Sequence, residues 1–246
     1  MRNEIASEFR KLSSTRSAYW LLVTLVGVTG IVAAGGLLGE DFAKDLVEPL
    51  QDQPFLLLPL STATVFTMIL GIRSFTDEFR HGSIVPTLLV TPDRRRVLAA
   101  KVVALGVAST IYMGAAFGTA LAVGVPGLMA KGLAVKWSAG ALAQLFGRVI
   151  VAGALWSAIG VGIGLAVRRQ AVAFIGVAVW SMGVEAAIGA LFRGVGKFLP
   201  DAAGTAIVGF DASDLLAPGA AVAVLVGWTA VVVTAGARLM VRRDVT

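Results

Sequence analysis

Long apolar runs alternate with short charged interruptions along the whole chain. Six runs read as helices: Ala18–Gly39, Pro54–Ile72, Val102–Val125, Ala139–Val167, Ala171–Phe192 and Gly219–Ala237. Each is long enough to cross about 30 Å of hydrocarbon at about 1.5 Å per residue. Continuous apolar stretches satisfy their backbone groups only as helices, and the alternating pattern of a membrane barrel is absent. The predicted fold class is therefore all-α: a polytopic membrane protein with six transmembrane helices, in one domain over residues 1–246. The first run covers 22 residues. A signal-peptide core has roughly 7–15, so this run is expected to remain as an anchor.

The polar stretches carry their own patterns. Over residues 3–16, Ile5, Phe9 and Leu12 share one helical face, with Glu4, Glu8 and Lys11 elsewhere. This predicts an interfacial helix within 1–17, lying along the inner leaflet with Arg10, Lys11 and Arg16 near anionic headgroups. Between the last two spans, residues 193–218 hold a short apolar patch broken by Pro and Gly. It fits a re-entrant or interfacial hairpin and an ordinary external loop equally well. Gly35/Gly39, Gly114/Gly118 and Gly160/Gly164 have the spacing that permits close helix contact. With 29 glycines in the chain, such spacings say little beyond a packed bundle. No linker, low-complexity tract or internal duplication is visible.

Composition agrees with this layout: 57% of residues are apolar, 15% are charged, and the mean hydropathy is +0.85. The net charge of +6 does not make a nucleic-acid face, because the basic residues sit in short blocks between apolar runs. Fifteen of the 21 Lys and Arg residues fall on one side of the predicted membrane and five on the other, with Arg148 inside a span. The excess predicts that both termini are cytoplasmic, in a cell (plasma) membrane. Arg16, Arg94, Arg95, Arg96, Lys101, Arg168 and Arg169 are the expected lipid and topology anchors. With no cysteine there is no disulfide or thiolate metal site. The single histidine, His81, lies outside the spans, where no intramembrane Ser–His pair forms. No phosphate-cradling loop is present; Gly196–Lys197–Phe198 lacks the hydroxyl and the upstream Gly. No metal is expected, and whatever energy source drives the protein lies outside this chain.

Two charges fall at membrane depth. Glu185 lies roughly 21 Å into its span and Arg148 roughly 30 Å from Arg168, by helix rise. Their axial mismatch of roughly 9 Å opposes a tight pair. Glu185 also fits a vestibule lining, or the polar mouth under the external loop. Phe66, Met68, Trp180 and Met182, with Glu185, are candidates for a substrate path, although each also fits ordinary packing or lipid contact.

The stretch Asp77–Lys101, DEFRHGSIVPTLLVTPDRRRVLAAK, is too polar for lipid and is flanked by spans. Its order Glu78, Gly82, Leu88–Leu89, Thr91–Pro92, Arg94/Arg95 and Lys101 resembles the signature of type-2 ABC permeases, the membrane subunits of bacterial ATP-binding-cassette exporters. Ser83 stands where that family usually has Thr. The resemblance extends to the N-terminal helix, the six spans and the long segment before the last span. It implies that residues 73–101 contain a cytoplasmic coupling helix docking a separate ATPase through Glu78, Arg80, Gly82, Leu88 and Pro92. It further implies a dimer with a second copy or paralogue, and ATP and Mg bound on the ATPase rather than here. The expected activity is multidrug-type export of an amphipathic drug-like or lipid-like compound, the chain itself being no enzyme. An autonomous secondary transporter or channel should instead show a broken helix or buried mid-depth charges. A membrane scaffold without transport is a third class.

Overall fold

The computed structural model describes residues 6–11, 15–38, 54–80, 82, 94–132, 137–210 and 214–242. A short helix over 6–11 (α1) is followed by α2 (Arg16–Leu38), α3 (Pro54–Arg80), α4 (Arg94–Ala130), α5 (Ala139–Val167) and α6 (Gln170–Leu191). A single turn over Arg193–Gly196, α7 (Pro200–Val208) and α8 (Pro218–Arg242) complete it. Six of these, α2 to α6 and α8, are long and apolar enough to cross a membrane. The chain is an all-α polytopic membrane protein, as the run lengths predict.

Several helices overrun their predicted ends, the last span reaching Arg242. The third continues through Asp77 and Glu78 to Arg80, and the fourth starts at Arg94. The polar residues at these ends are therefore helical, not loop. A helix carries charge past the hydrocarbon readily because its backbone is already satisfied internally. Gly82 ends the descent: its φ of +67° is left-handed, and its N–H reaches back to the Phe79 carbonyl at 3.4 Å. His81, Leu88 and Pro92 lie outside the described residues, as do the other residues of 83–93.

At the centre α3 and α5 run parallel with their backbones almost touching. A Cβ added to Gly160 would sit 2.2 Å from the Met68 carbonyl oxygen, and one on Gly71 2.0 Å from that of Ser157. Small residues permit this approach, and the tight interface replaces a hydrophobic drive that lipid does not supply. Of the three spacings noted in the sequence, Gly160/Gly164 is used this way. Gly114, Gly118 and Gly35 face open space, and Gly39 lies outside the described residues. Helices α2 and α4 cover one side of α3, and α8 packs on α5 across Gly162 and Gly236. The spans α3 and α5 are largely buried, whereas α6 and α8 expose most of their apolar surface.

Within the 193–218 stretch, α7 folds back onto the bundle. Pro200, Ala203, Ala206 and Ile207 of α7 are buried, and Gly204 lies against the Trp156 indole. Gly209, at φ +116°, closes the helix.

Candidate functional site

Two polar centres lie at opposite ends of the bundle. The first gathers where α1 meets the end of α3 and the start of α4. The Lys101 ammonium donates to Glu8 Oε2 at 2.6 Å, to Glu78 Oε1 at 2.9 Å and to the Ser74 carbonyl at 3.1 Å, and lies 4.8 Å from the centre of the Phe75 ring. Lys11 donates to Glu8 Oε1 at 2.6 Å and to Glu78 Oε1 at 3.1 Å. Two carboxylates and two ammoniums thus balance, with Lys101 only 2% exposed. A buried charge is tolerable only when paired and hydrogen-bonded, and here each charge faces opposite ones. Burial by itself would raise the Glu8 carboxyl. The Lys101 charge, with hydrogen bonds from Lys101 and Lys11, outweighs it and holds Glu8 below its ordinary value. Burial would lower Lys11, but its hydrogen bond to Glu8 and the charges of Glu78 and Glu8 raise it overall.

This centre corrects two expectations. Lys101 is not a lipid anchor: its charge is directed into the protein because Glu8 and Glu78 together neutralise it. Glu8, placed by the pattern off the packed face of its helix, is buried for the same reason. Glu78, the expected docking residue, is also buried, its Oε1 shared by both lysines. Arg80 is exposed beside it. Among the other expected anchors, Arg16, Arg96 and Arg169 are exposed. Arg168 caps α5 at φ 60° and stacks its guanidinium 4.8 Å over Phe79, a contact with α3. Arg94 and Arg95 begin α4.

At the opposite end, α6 departs from the predicted unbroken helix. Trp180–Glu185 form a π-helical segment before the α-helix resumes at Ala186. Such segments insert an extra residue per turn and redirect the side chains around them. Here they turn Glu185 inward, to 6% exposure. Its Oε1 accepts the Asp201 backbone N–H at 2.6 Å and its Oε2 the Trp180 indole N–H at 3.1 Å. The N-cap residue of α7, Leu199, supplies no side-chain acceptor, so Glu185 satisfies the first turn from a neighbouring helix. Ser181 in turn donates its hydroxyl to Asp201 Oδ2. Arg148 sits by Gly209, and among the described residues it forms no ion pair with Glu185, in keeping with the axial mismatch.

A cavity of about 480 Å³ opens between α3, α5, α6 and α7. Met68 and Met182, both named as substrate-path candidates, line it with Thr64, Trp156, Ser181 and Asp201. Phe66 and Trp180 do not: Phe66 packs against the core, and Trp180 meets Glu185 and the Trp228 ring. Glu185 lines a neighbouring hollow that shares Ser181 and Asp201 with the first. Sequence reasoning missed Glu8, Ser181, Asp201 and Trp156. Only Glu8 left a readable trace, an acid three residues before Lys11. Among the described residues no cluster of His, Asp and Glu has the arrangement of a metal site.

No family model matches the chain. No curated protein matches it either.

Proposed function

We propose that this chain is the transmembrane subunit of an ATP-driven exporter of the type-2 ABC permease kind. It would move an amphipathic drug-like or lipid-like compound out of the cytoplasm or inner leaflet. In this reading both termini are cytoplasmic, the centre at Lys101 faces the cytosol, and the cavity beside Asp201 opens toward the outside. The work is done by a separate cytoplasmic ATPase that carries ATP and Mg, and a second permease copy or paralogue completes the pore.

The observation that carries this reading is the charged centre itself. It ties α1, α3 and α4 together through Glu78 and Lys101, both within residues 73–101, the segment whose residue order resembles the family's coupling segment. A push on that stretch would reach three helices as one lever, and one of them, α3, walls the cavity. Arg80, exposed at this base, is the docking residue a partner can reach. Expression beside candidate ATPases tests this: co-purification of a soluble ATPase, weakened by Arg80→Glu without loss of thermal stability, is the expected result. Solute movement in liposomes with no nucleotide hydrolase present overturns it.

One observation favours a second reading, the autonomous transporter. The π-helical interruption of α6 and the buried Glu185 are features that class uses. Proton-driven uptake by the purified chain alone, lost in Glu185→Gln, would select it.

A further inference from the structure

We infer that the cavity beside Asp201 takes a cationic amphiphile, an apolar body bearing an amine or quaternary ammonium head. The inference rests on the export reading for its biological use, but the binding it describes needs no ATPase. The cavity runs along α3 from Ser61 to Ile72, 11 residues apart and therefore roughly 16 Å. Its deep part is walled by Met68, Ile72, Phe174 and Val177, which offer an extended chain no polar partner. Its polar groups gather at the other end, where Ser181 and Asp201 sit. A volume of about 480 Å³ lies within the ordinary range for small-molecule sites.

The sign of the head group follows from the charges at that end. Asp201 is partly exposed, and among the described residues only its Oδ2 is occupied, by the Ser181 hydroxyl. Glu185 lies directly behind it, holding the Asp201 backbone N–H. Among the described residues no Lys or Arg forms an ion pair with either carboxyl. Lys197, which lines the adjoining hollow, rests its ammonium 5.4 Å from the centre of the Phe198 ring. Asp214 lines the same hollow, so three carboxyls and one ammonium gather there and the balance is acidic. In a low-dielectric wall such a field attracts a cation and repels an anion of equal size. The apolar walls recognise the tail, and Asp201 recognises the head.

The test uses the full chain in nanodiscs of zwitterionic lipid, with empty discs as the blank. Calorimetric titration compares dodecyltrimethylammonium with dodecyl sulfate, which shares its tail. The cation is expected to bind saturably and at least about tenfold more tightly, the scale of one charged contact. Asp201→Asn, similar in shape, should remove most of that preference while leaving the melting temperature within a few degrees. Met68→Trp should fill the cavity and abolish saturable binding. Equal binding of the two probes, an unchanged preference in Asp201→Asn, or no saturable binding of the cation each overturns the inference. ATPase co-purification without selective binding sinks this inference alone. Selective binding with no ATPase partner sinks the export reading alone.

Discussion

The two ends of the bundle handle buried carboxylates in opposite ways. At the Lys101 end, Glu8 and Glu78 meet two ammoniums and the group is electrically closed. At the Asp201 end, Glu185 and Asp201 are held by neutral donors, an indole, a backbone N–H and a hydroxyl, and among the described residues neither forms an ion pair with a cation. A balanced group of this kind fastens helices together, because removing any member strands another. An unbalanced one beside a cavity remains available to a ligand. The contrast separates a structural joint from a receptive surface, although both are built from acids in apolar surroundings.

The largest expected effect is at the joint. Lys101→Met leaves two buried carboxylates with only Lys11 to face them and should destabilise the purified chain by about 3–5 kcal/mol, read from unfolding in mild detergent. Replacing Glu8 and Glu78 by Met in the same variant should restore much of that loss. If Lys101→Met is neutral, the joint does not hold α1. At the opposite end Glu185→Ala should be milder, about 1 kcal/mol, the usual effect of removing a helix cap. It should also shift Trp180 fluorescence, since the indole loses its acceptor. A loss as large as that of Lys101→Met would mean that the two ends do not differ in kind.

The smallest effect is in pH. The Glu8 carboxyl is lowered in the folded chain, so its contribution is complete above the ordinary carboxylate value and is lost as pH falls through the lowered one. Lys11 is raised, so its contribution is complete below the ordinary lysine value and is lost only as pH climbs through the raised one. Helix α1 should therefore stay attached across neutral pH and loosen in acid. Hydrogen exchange at residues 6–11 should accelerate below the carboxylate range before α5 is affected. Loosening near neutral pH would contradict the pairing.

Much of the architecture was legible in advance, because a bilayer imposes a length and a polarity that any spanning helix must show locally. All six spans follow from such local signals, whereas the spacing of Gly160/Gly164 looks no different from that of Gly114/Gly118, which faces open space. The site was less legible. Met68 and Met182 were named from their spans, and both line the cavity. Phe66 and Trp180 were named on the same grounds and do not, because a helix face is assigned by its neighbours and not by its own sequence. The π-helical turn at Trp180–Glu185 shifts that assignment once more, and no spacing in the sequence announced it.

By itself, the sequence determined that this chain is a bundle of membrane-length helices with its basic residues gathered to one side, since hydropathy and charge are summed along the chain. Only the tertiary structure decided which acids are closed and which are open. Glu8 and Lys101 are 93 positions apart, and Glu185 and Asp201 belong to different helices. Whether a buried carboxylate meets an ammonium or a neutral donor depends on distances of about 3 Å across helices, which no run of neighbouring residues encodes.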